Sequence, residues 1–159
     1  MLKETTIMAN SLRLLLAFSF SALLLSSTGM AQKRIDKVEE DEISVKKYLD
    51  KKNLDEIEGI YKNYSGQYYK LGIKKYEDYY IAIVLDSYDK SKWKPGTVKA
   101  YFDPSAREGT YAMTWLMGDR AKKETIAEME DGAQLKFQLP IGEFGERVTV
   151  KFLKLYPKE

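Results

Sequence analysis

Seven segments of the chain show the two-residue period of β-strands, and this feature constrains the fold more than any other. In the third of them, Val98, Ala100 and Phe102 share one face of a strand, and Lys99 and Tyr101 share the other. The second segment is apolar on both faces, and the fifth is the weakest match. In chain order they read QYYKLGIKK, DYYIAIVLD, GTVKAYF, GTYAMTWLMG, ETIAEME, AQLKFQLP and RVTVKFL. We therefore expect a mainly β protein.

Turn residues separate these segments at regular intervals. Asp131-Gly132 is typical of a hairpin with a two-residue loop, and Pro or Gly marks the connections at 94–96 and 103–109. With a short strand at 59–62 the chain has about eight strands and no helix between them. Because every connection is short enough for antiparallel neighbours, we expect an eight-stranded antiparallel up-and-down barrel. A barrel of this size either holds one small ligand or is filled by its own side chains.

Residues 1–31 have the pattern of a cleaved signal peptide. Basic residues precede an apolar run at 14–25, and Gly29 and Ala31 occupy the positions that a signal peptidase reads. The alternative is a membrane anchor, but an apolar run of about a dozen residues is shorter than the roughly 20 that a spanning helix needs. Translation from Met8 would give a more compact signal. We expect a secreted or periplasmic protein with no transmembrane segment in the mature chain.

The mature chain divides into a charged N-terminal part and a barrel domain. We expect residues 32–52 to form a flexible, charged leader followed by a short helix capped by Ser44. Asn53 and Glu56 have the spacing of a capping box, which predicts a helical turn before the first strand. Residues 53–159 form the single antiparallel barrel.

Composition excludes several classes of function. The chain has no His and no Cys, which removes the commonest general base, thiol chemistry, disulfides and the usual zinc ligands. Its 26 basic and 24 acidic residues give a formal net charge of +2, without the basic excess of a nucleic-acid-binding protein. We expect no metal, no cofactor and no nucleic-acid partner.

Carboxylates are the remaining candidates for catalysis. A pair could hydrolyse a glycosidic bond, and Asp86, Asp103 and Asp119 lie at strand ends. Each also stands where turns favour Asp, and the acidic run at 39–42 is more typical of a solvated face than of a calcium site. We therefore expect that the protein is not an enzyme.

Aromatic side chains on the central strands and their connections indicate a binding site instead. Small-molecule pockets combine apolar walls with a few polar groups, although aromatic residues also fill cores. The predicted ligand-binding residues are Tyr88, Trp93, Tyr101, Tyr111, Met113 and Trp115.

The stretch NLDEIEGIY at 53–61 resembles the start of a lipocalin or calycin barrel. In that family a helical turn leads into Gly-x-Trp on the first strand, and here Gly59 and Tyr61 stand at the Gly and Trp positions. The family also packs a basic residue across this aromatic ring, a position for which Arg147 is a candidate. The resemblance implies a barrel that binds a small hydrophobic ligand.

A second resemblance concerns secreted bacterial proteins. YLDKKNLDEIEGIY, WKPGTVKAYF and MGDR are similar to a module that often precedes a trypsin-like peptidase domain. No peptidase follows in this chain, so the resemblance implies an accessory, non-catalytic β domain.

Two functions therefore remain open. The first is a secreted lipocalin-like module that binds a small hydrophobic ligand. The alternative is a structural domain with a filled barrel that docks on an envelope or secreted protein partner, with Tyr68, Lys70 and Lys74 as the contact face.

Overall fold

A computed structural model describes residues 33–64, 66–141 and 145–158. The signal peptide predicted for residues 1–31 lies outside the described residues. Residues from Ile35 onwards belong to one compact unit. Within the described part of the chain, no helix has the length and apolar character needed to cross a bilayer.

The described residues form a closed β-barrel with one short helix before it. Each strand is antiparallel to the next, and β8 pairs with β1 to close the barrel. The elements are α1 (Glu42–Leu49), β1 (Gly59–Asn63), β2 (Tyr69–Tyr76), β3 (Tyr79–Ser87), β4 (Val98–Pro104), β5 (Thr110–Leu116), β6 (Lys122–Glu130), β7 (Gln134–Ile141) and β8 (Glu146–Tyr156). This confirms the predicted eight-stranded antiparallel up-and-down barrel.

The barrel has two different ends. We call the end where β1, β3, β5 and β7 finish the mouth, and the opposite end the closed end. At the closed end, residues 55–58 form a turn that contacts the barrel interior, since the Tyr80 hydroxyl donates to the Asp55 carboxylate at 2.7 Å. The hairpin turn between β6 and β7 also lies at this end. It spans 131–133, one residue more than predicted, because Glu130 pairs with Gln134.

Aromatic side chains fill the interior near the closed end. The ring of Tyr111 packs edge-on against those of Tyr80 and Phe102, with centroids 5.8 and 6.4 Å apart. Tyr61 and Met113 are buried in the same half of the barrel. Burial of these apolar surfaces is the main source of stability for a chain without disulfides.

Residues 35–49 pack along the outside of the barrel. The Val38 N–H donates to the Gly96 carbonyl at 2.9 Å, and the Val98 N–H donates to the Asp36 carbonyl at 3.0 Å. The prediction of a flexible leader is therefore wrong from Ile35 onwards. These backbone hydrogen bonds pair residues 36–38 with residues 96–98, at the start of β4.

Helix α1 begins after Asp41, whose carboxylate accepts from the Ser44 N–H at 2.8 Å. The predicted cap, Ser44, is therefore wrong, because a preceding Asp satisfies the first-turn donor. The helix buries Val45 and Leu49. Its packing on β2 requires Gly72, since a Cβ there would lie 2.8 Å from Val45 Cγ1.

The predicted capping box at Asn53 and Glu56 is also wrong. Asn53 has a left-handed backbone (φ 65°), and no helix forms there among the described residues. Two residues further on, the Asp55 N–H donates to the Glu58 carboxylate and the Glu58 N–H donates to the Asp55 carbonyl, both at 2.9 Å. This reciprocal pair makes the turn that leads into β1.

Candidate ligand cavity at the barrel mouth

The mouth half of the barrel encloses a cavity of about 860 Å³. This volume lies within the usual range for small-molecule pockets, roughly 300–1,000 Å³. Its described walls combine residues of every strand except β3 with residues of the β1–β2, β3–β4 and β5–β6 connections. They include Tyr69, Trp93, Trp115, Leu139, Val148 and Phe152.

Apolar side chains face inward at the mouth but are not covered. Ile141 and Val148 belong to the inward faces of β7 and β8, yet 41% and 43% of their surfaces remain exposed. Deeper on the same faces, Phe137 and Phe152 are buried and stack with their centroids 6.1 Å apart. The inward faces of β7 and β8 therefore form packed core toward the closed end and an open, apolar wall at the mouth.

Trp115 forms the floor of this cavity. Its ring centroid lies 5.1 Å from that of Phe137, 6.1 Å from Phe152 and 5.9 Å from Tyr69. Ring contacts of this kind stabilise by about 1 kcal/mol each beyond the area they bury. The floor is therefore a rigid apolar surface.

Trp93 enters the mouth from the β3–β4 connection and is almost fully buried. The backbone N–H of Trp93 donates to the Asp89 carbonyl at 3.0 Å, and the backbone carbonyl of Trp93 accepts from the buried Ser87 hydroxyl at 2.9 Å. These bonds hold the connection folded back over the barrel. The indole therefore forms part of the cavity wall.

Lys99 places the only buried amine of the described residues in this wall. Ala82 pairs with Ala100 but Ile83 pairs with Val98, so β4 carries an extra residue at this point. Such a β-bulge re-aims the side chain of the extra residue. The Lys99 side chain therefore points into the barrel. The prediction that Lys99 shares a face with Tyr101, opposite Ala100 and Phe102, is wrong.

Aromatic rings and one carbonyl surround the Lys99 amine. Nζ lies 3.6 Å from the ring centroid of Trp93, 4.5 Å from that of Trp115 and 4.7 Å from that of Tyr69. It donates to the Leu116 carbonyl at 2.5 Å. The ring faces attract a cation.

Burial and, to a smaller extent, the nearby Arg120 guanidinium together lower the pKa of Lys99 to about 7. Arg120 itself lies over the Trp93 ring, with Cζ 4.5 Å from the centroid. Near neutral pH the amine therefore exchanges readily between its charged and neutral forms.

Three of the six predicted site residues line the cavity: Tyr88, Trp93 and Trp115. The others lie elsewhere. Tyr101 faces outward, and its hydroxyl donates to the Ile35 carbonyl at 2.8 Å. Tyr111 and Met113 belong to the filled half near the closed end.

Sequence reasoning missed Lys99 and the apolar wall of β7 and β8. Alternation alone places Lys99 on the same face as Tyr101 and opposite Ala100, and nothing in the sequence around it indicates a bulge. The wall could have been found from the sequence, because Leu139 and Val148 lie on the apolar faces of their predicted strands. What the alternation could not show is which part of that face stays open.

The closed end carries the Gly-x-aromatic feature noted in the sequence. A Cβ at Gly59 would lie 2.7 Å from the Tyr156 carbonyl oxygen, so the strand approaches β8 closely. Tyr61 is fully buried and donates to the Ile57 carbonyl at 2.9 Å. The basic residue over its ring is Lys154, with Nζ 5.7 Å from the centroid. The prediction of Arg147 is wrong, because Arg147 pairs with Pro140 near the mouth.

The three candidate carboxylates do not come together. Asp86, near the end of β3, accepts from the Ser87 N–H, and Asp119, in the β5–β6 connection, accepts from the Ala121 N–H, both at 2.9 Å. Asp103 lies toward the closed end, near the end of β4. Within the described ranges, no group of three acidic residues is placed to hold a metal ion.

The face predicted for protein docking is partly covered by the chain itself. Lys70 and Lys74 form ion pairs of 2.6 Å with Glu42 and Glu40, respectively. The acidic run at 39–42 therefore neutralises the outer face of β2. This leaves less of that face for a partner than its sequence suggests.

Comparisons with protein-family models, with curated proteins and with solved structures gave no match to this chain. Function therefore has to be inferred from the cavity and the residues around it.

Proposed function

We propose that the protein is an exported, non-catalytic binding module that holds one small hydrophobic ligand in the mouth cavity. The observation that carries this proposal is the exposed apolar wall above a packed floor. Exposed apolar surface costs free energy in water, roughly 25 cal/mol per Å², and a ligand that covers it recovers that energy. Ile141 and Val148 are the clearest members of this wall.

A lipocalin-like relationship is part of the proposal. Its support is the eight-stranded barrel with one closed end, where a turn precedes Gly59 and Lys154 lies over the buried Tyr61 ring. The aromatic is Tyr where that family has Trp. The shared arrangement favours ligand entry at the opposite end, the mouth.

Export and the absence of catalysis rest on the sequence. Residues 1–31 carry the pattern of a signal peptide. The chain has neither His nor Cys, and Asp86 and Asp119 each accept from a backbone N–H group close by in the sequence. The cavity offers apolar walls and one buried amine, that of Lys99, which suits binding.

Tryptophan fluorescence tests the proposal directly, because both tryptophans of the chain line the cavity. Titration with the neutral hydrophobic probe N-phenyl-1-naphthylamine should give saturable energy transfer from Trp93 and Trp115 to one bound probe. Urea-unfolded protein is the control and should show no saturable transfer. An unchanged emission across the titration would contradict the proposal.

A further inference from the structure

Lys99 is the feature of the cavity that an ordinary apolar pocket does not need. Only 2% of its surface is exposed, and removing an ammonium from water is costly unless an opposite charge is near. No carboxylate among the described residues forms an ion pair with it; its polar contact is the Leu116 carbonyl. The bulge in β4 nevertheless directs this amine into the cavity.

The ammonium keeps donor capacity for a ligand. A lysine ammonium has three N–H donors, and the Leu116 carbonyl accepts one of them. The rings of Trp93, Trp115 and Tyr69 also surround the nitrogen. These contacts are made with the rings and not with conventional hydrogen-bond acceptors. A negatively charged oxygen in the cavity would supply the missing acceptor and the missing charge.

Most of the charged side chains that line the described part of the cavity have the same sign as Lys99. Lys92 and Lys123 line the cavity, and Asp119 is the one acidic residue among its described lining residues. Arg120 adds a further cation over Trp93. Positive charge around a mouth with apolar walls attracts and orients an anion during entry.

We infer that the ligand of this cavity is an anionic amphiphile, whose head group binds Lys99 and whose apolar chain lies along Leu139, Ile141 and Val148. This inference rests on the proposed function and deepens it. The alternative role for Lys99 is a structural one, in which the amine only ties down the Leu116 carbonyl.

Displacement of N-phenyl-1-naphthylamine by decanoate, decyl sulfate and decanol separates these roles. The three competitors share one chain and differ in head group. We expect both anions to bind about tenfold or more tightly than decanol near pH 6.5, since a charge-assisted hydrogen bond adds to the same apolar contact. Equal affinities for all three in the wild-type protein would overturn the inference.

Variants then assign the preference to Lys99. Lys99→Met should remove the preference for the anions over decanol within that variant, whereas Lys99→Arg should keep it. Lys136→Met is the matched control, because Lys136 lies on the outer face and pairs with Glu130. Should Lys99→Met fold poorly, Lys99→Gln makes the same comparison. A preference that survives in the Met or Gln variant would overturn the inference.

Failure of this inference is distinct from failure of the proposed function. If the neutral probe does not bind wild-type protein, the proposed function fails. If the probe binds and neither anion displaces it better than decanol does, the cavity stands and the anionic head group is rejected.

Discussion

Lys99 is the residue in which stability and function conflict. A bulge turns it into an apolar barrel, where rings and one carbonyl hold its amine. Replacing a buried charge by an apolar side chain of similar length is often neutral or stabilising. A costly amine beside an open cavity is therefore better explained by what it binds than by what it contributes to folding.

The pH dependence of stability should report Lys99. Its pKa falls from 10.5 to about 7 on folding. Below about pH 7 the amine is protonated in both the folded and the unfolded protein. The folded protein then carries the full free-energy cost of burying the ammonium. Above about pH 7 the unfolded chain binds more protons, so the free energy of unfolding rises with pH, by at most about 1.4 kcal/mol per pH unit.

Urea denaturation of the wild type and Lys99→Met between about pH 6.5 and 9 measures this effect. The wild type should gain stability relative to the variant as pH rises. The variant serves as the baseline because it retains the other titratable and charged groups around the mouth. These are Tyr69, Tyr88, Lys92, Asp119, Arg120 and Lys123. Parallel pH profiles would contradict the assignment.

Tyr61 should contribute to stability through its hydroxyl. The buried hydroxyl donates to the Ile57 carbonyl and holds the turn at the closed end. Tyr61→Phe should lower the free energy of unfolding by about 1–2 kcal/mol. Tyr64→Phe is the control, since Tyr64 is 65% exposed and should change stability by less than about 0.5 kcal/mol. Equal losses in urea denaturation would show that the bond is unimportant.

Among the strands, β3 shows which aspects of burial the sequence indicates and which it does not. Its apolar residues on both faces predicted burial on both sides, and Ile81 and Ile83 are buried on the outer side. Residues 35–49, which contact the neighbouring β2 and β4, provide the cover. The sequence of that segment is dense in charge, so its few buried side chains gave no periodic signal.

The contact between α1 and β2 is tight enough to test by adding one methyl group. Gly72→Ala should destabilise the protein by about 1–3 kcal/mol, because the new Cβ would lie 2.8 Å from Val45 Cγ1. In the double variant with Val45→Ala, the two losses should be less than additive, since the clash is removed.

Gly118→Ala is the matched control for that experiment. Its Cβ would meet only the flexible Lys92 side chain, at 3.3 Å from Cδ. Thermal unfolding should therefore change little. A Gly72→Ala protein as stable as this control would show that α1 does not press on β2.

At the scale of the whole molecule, strand number and short connections were enough to predict a closed eight-stranded barrel. The same reasoning could not show whether the interior is filled, because that depends on summed side-chain volumes at each level. Near the closed end, rings on neighbouring strands, such as Phe102 and Tyr111, pack against each other in the interior. At the mouth, aliphatic side chains such as Leu139 and Val148 leave space between them. Half of the barrel is therefore a packed core, and the other half contains an open cavity.

Filling the mouth cavity is the most direct test of this division. Ile141→Trp places a large side chain in the cavity, whereas Ile126→Trp makes the same change on the outer face of β6, where Ile126 is 63% exposed. The measurement is the affinity for N-phenyl-1-naphthylamine, from its own fluorescence. We predict at least about tenfold weaker binding for Ile141→Trp and wild-type affinity for Ile126→Trp. Equal affinity in both variants would contradict a ligand site at the mouth.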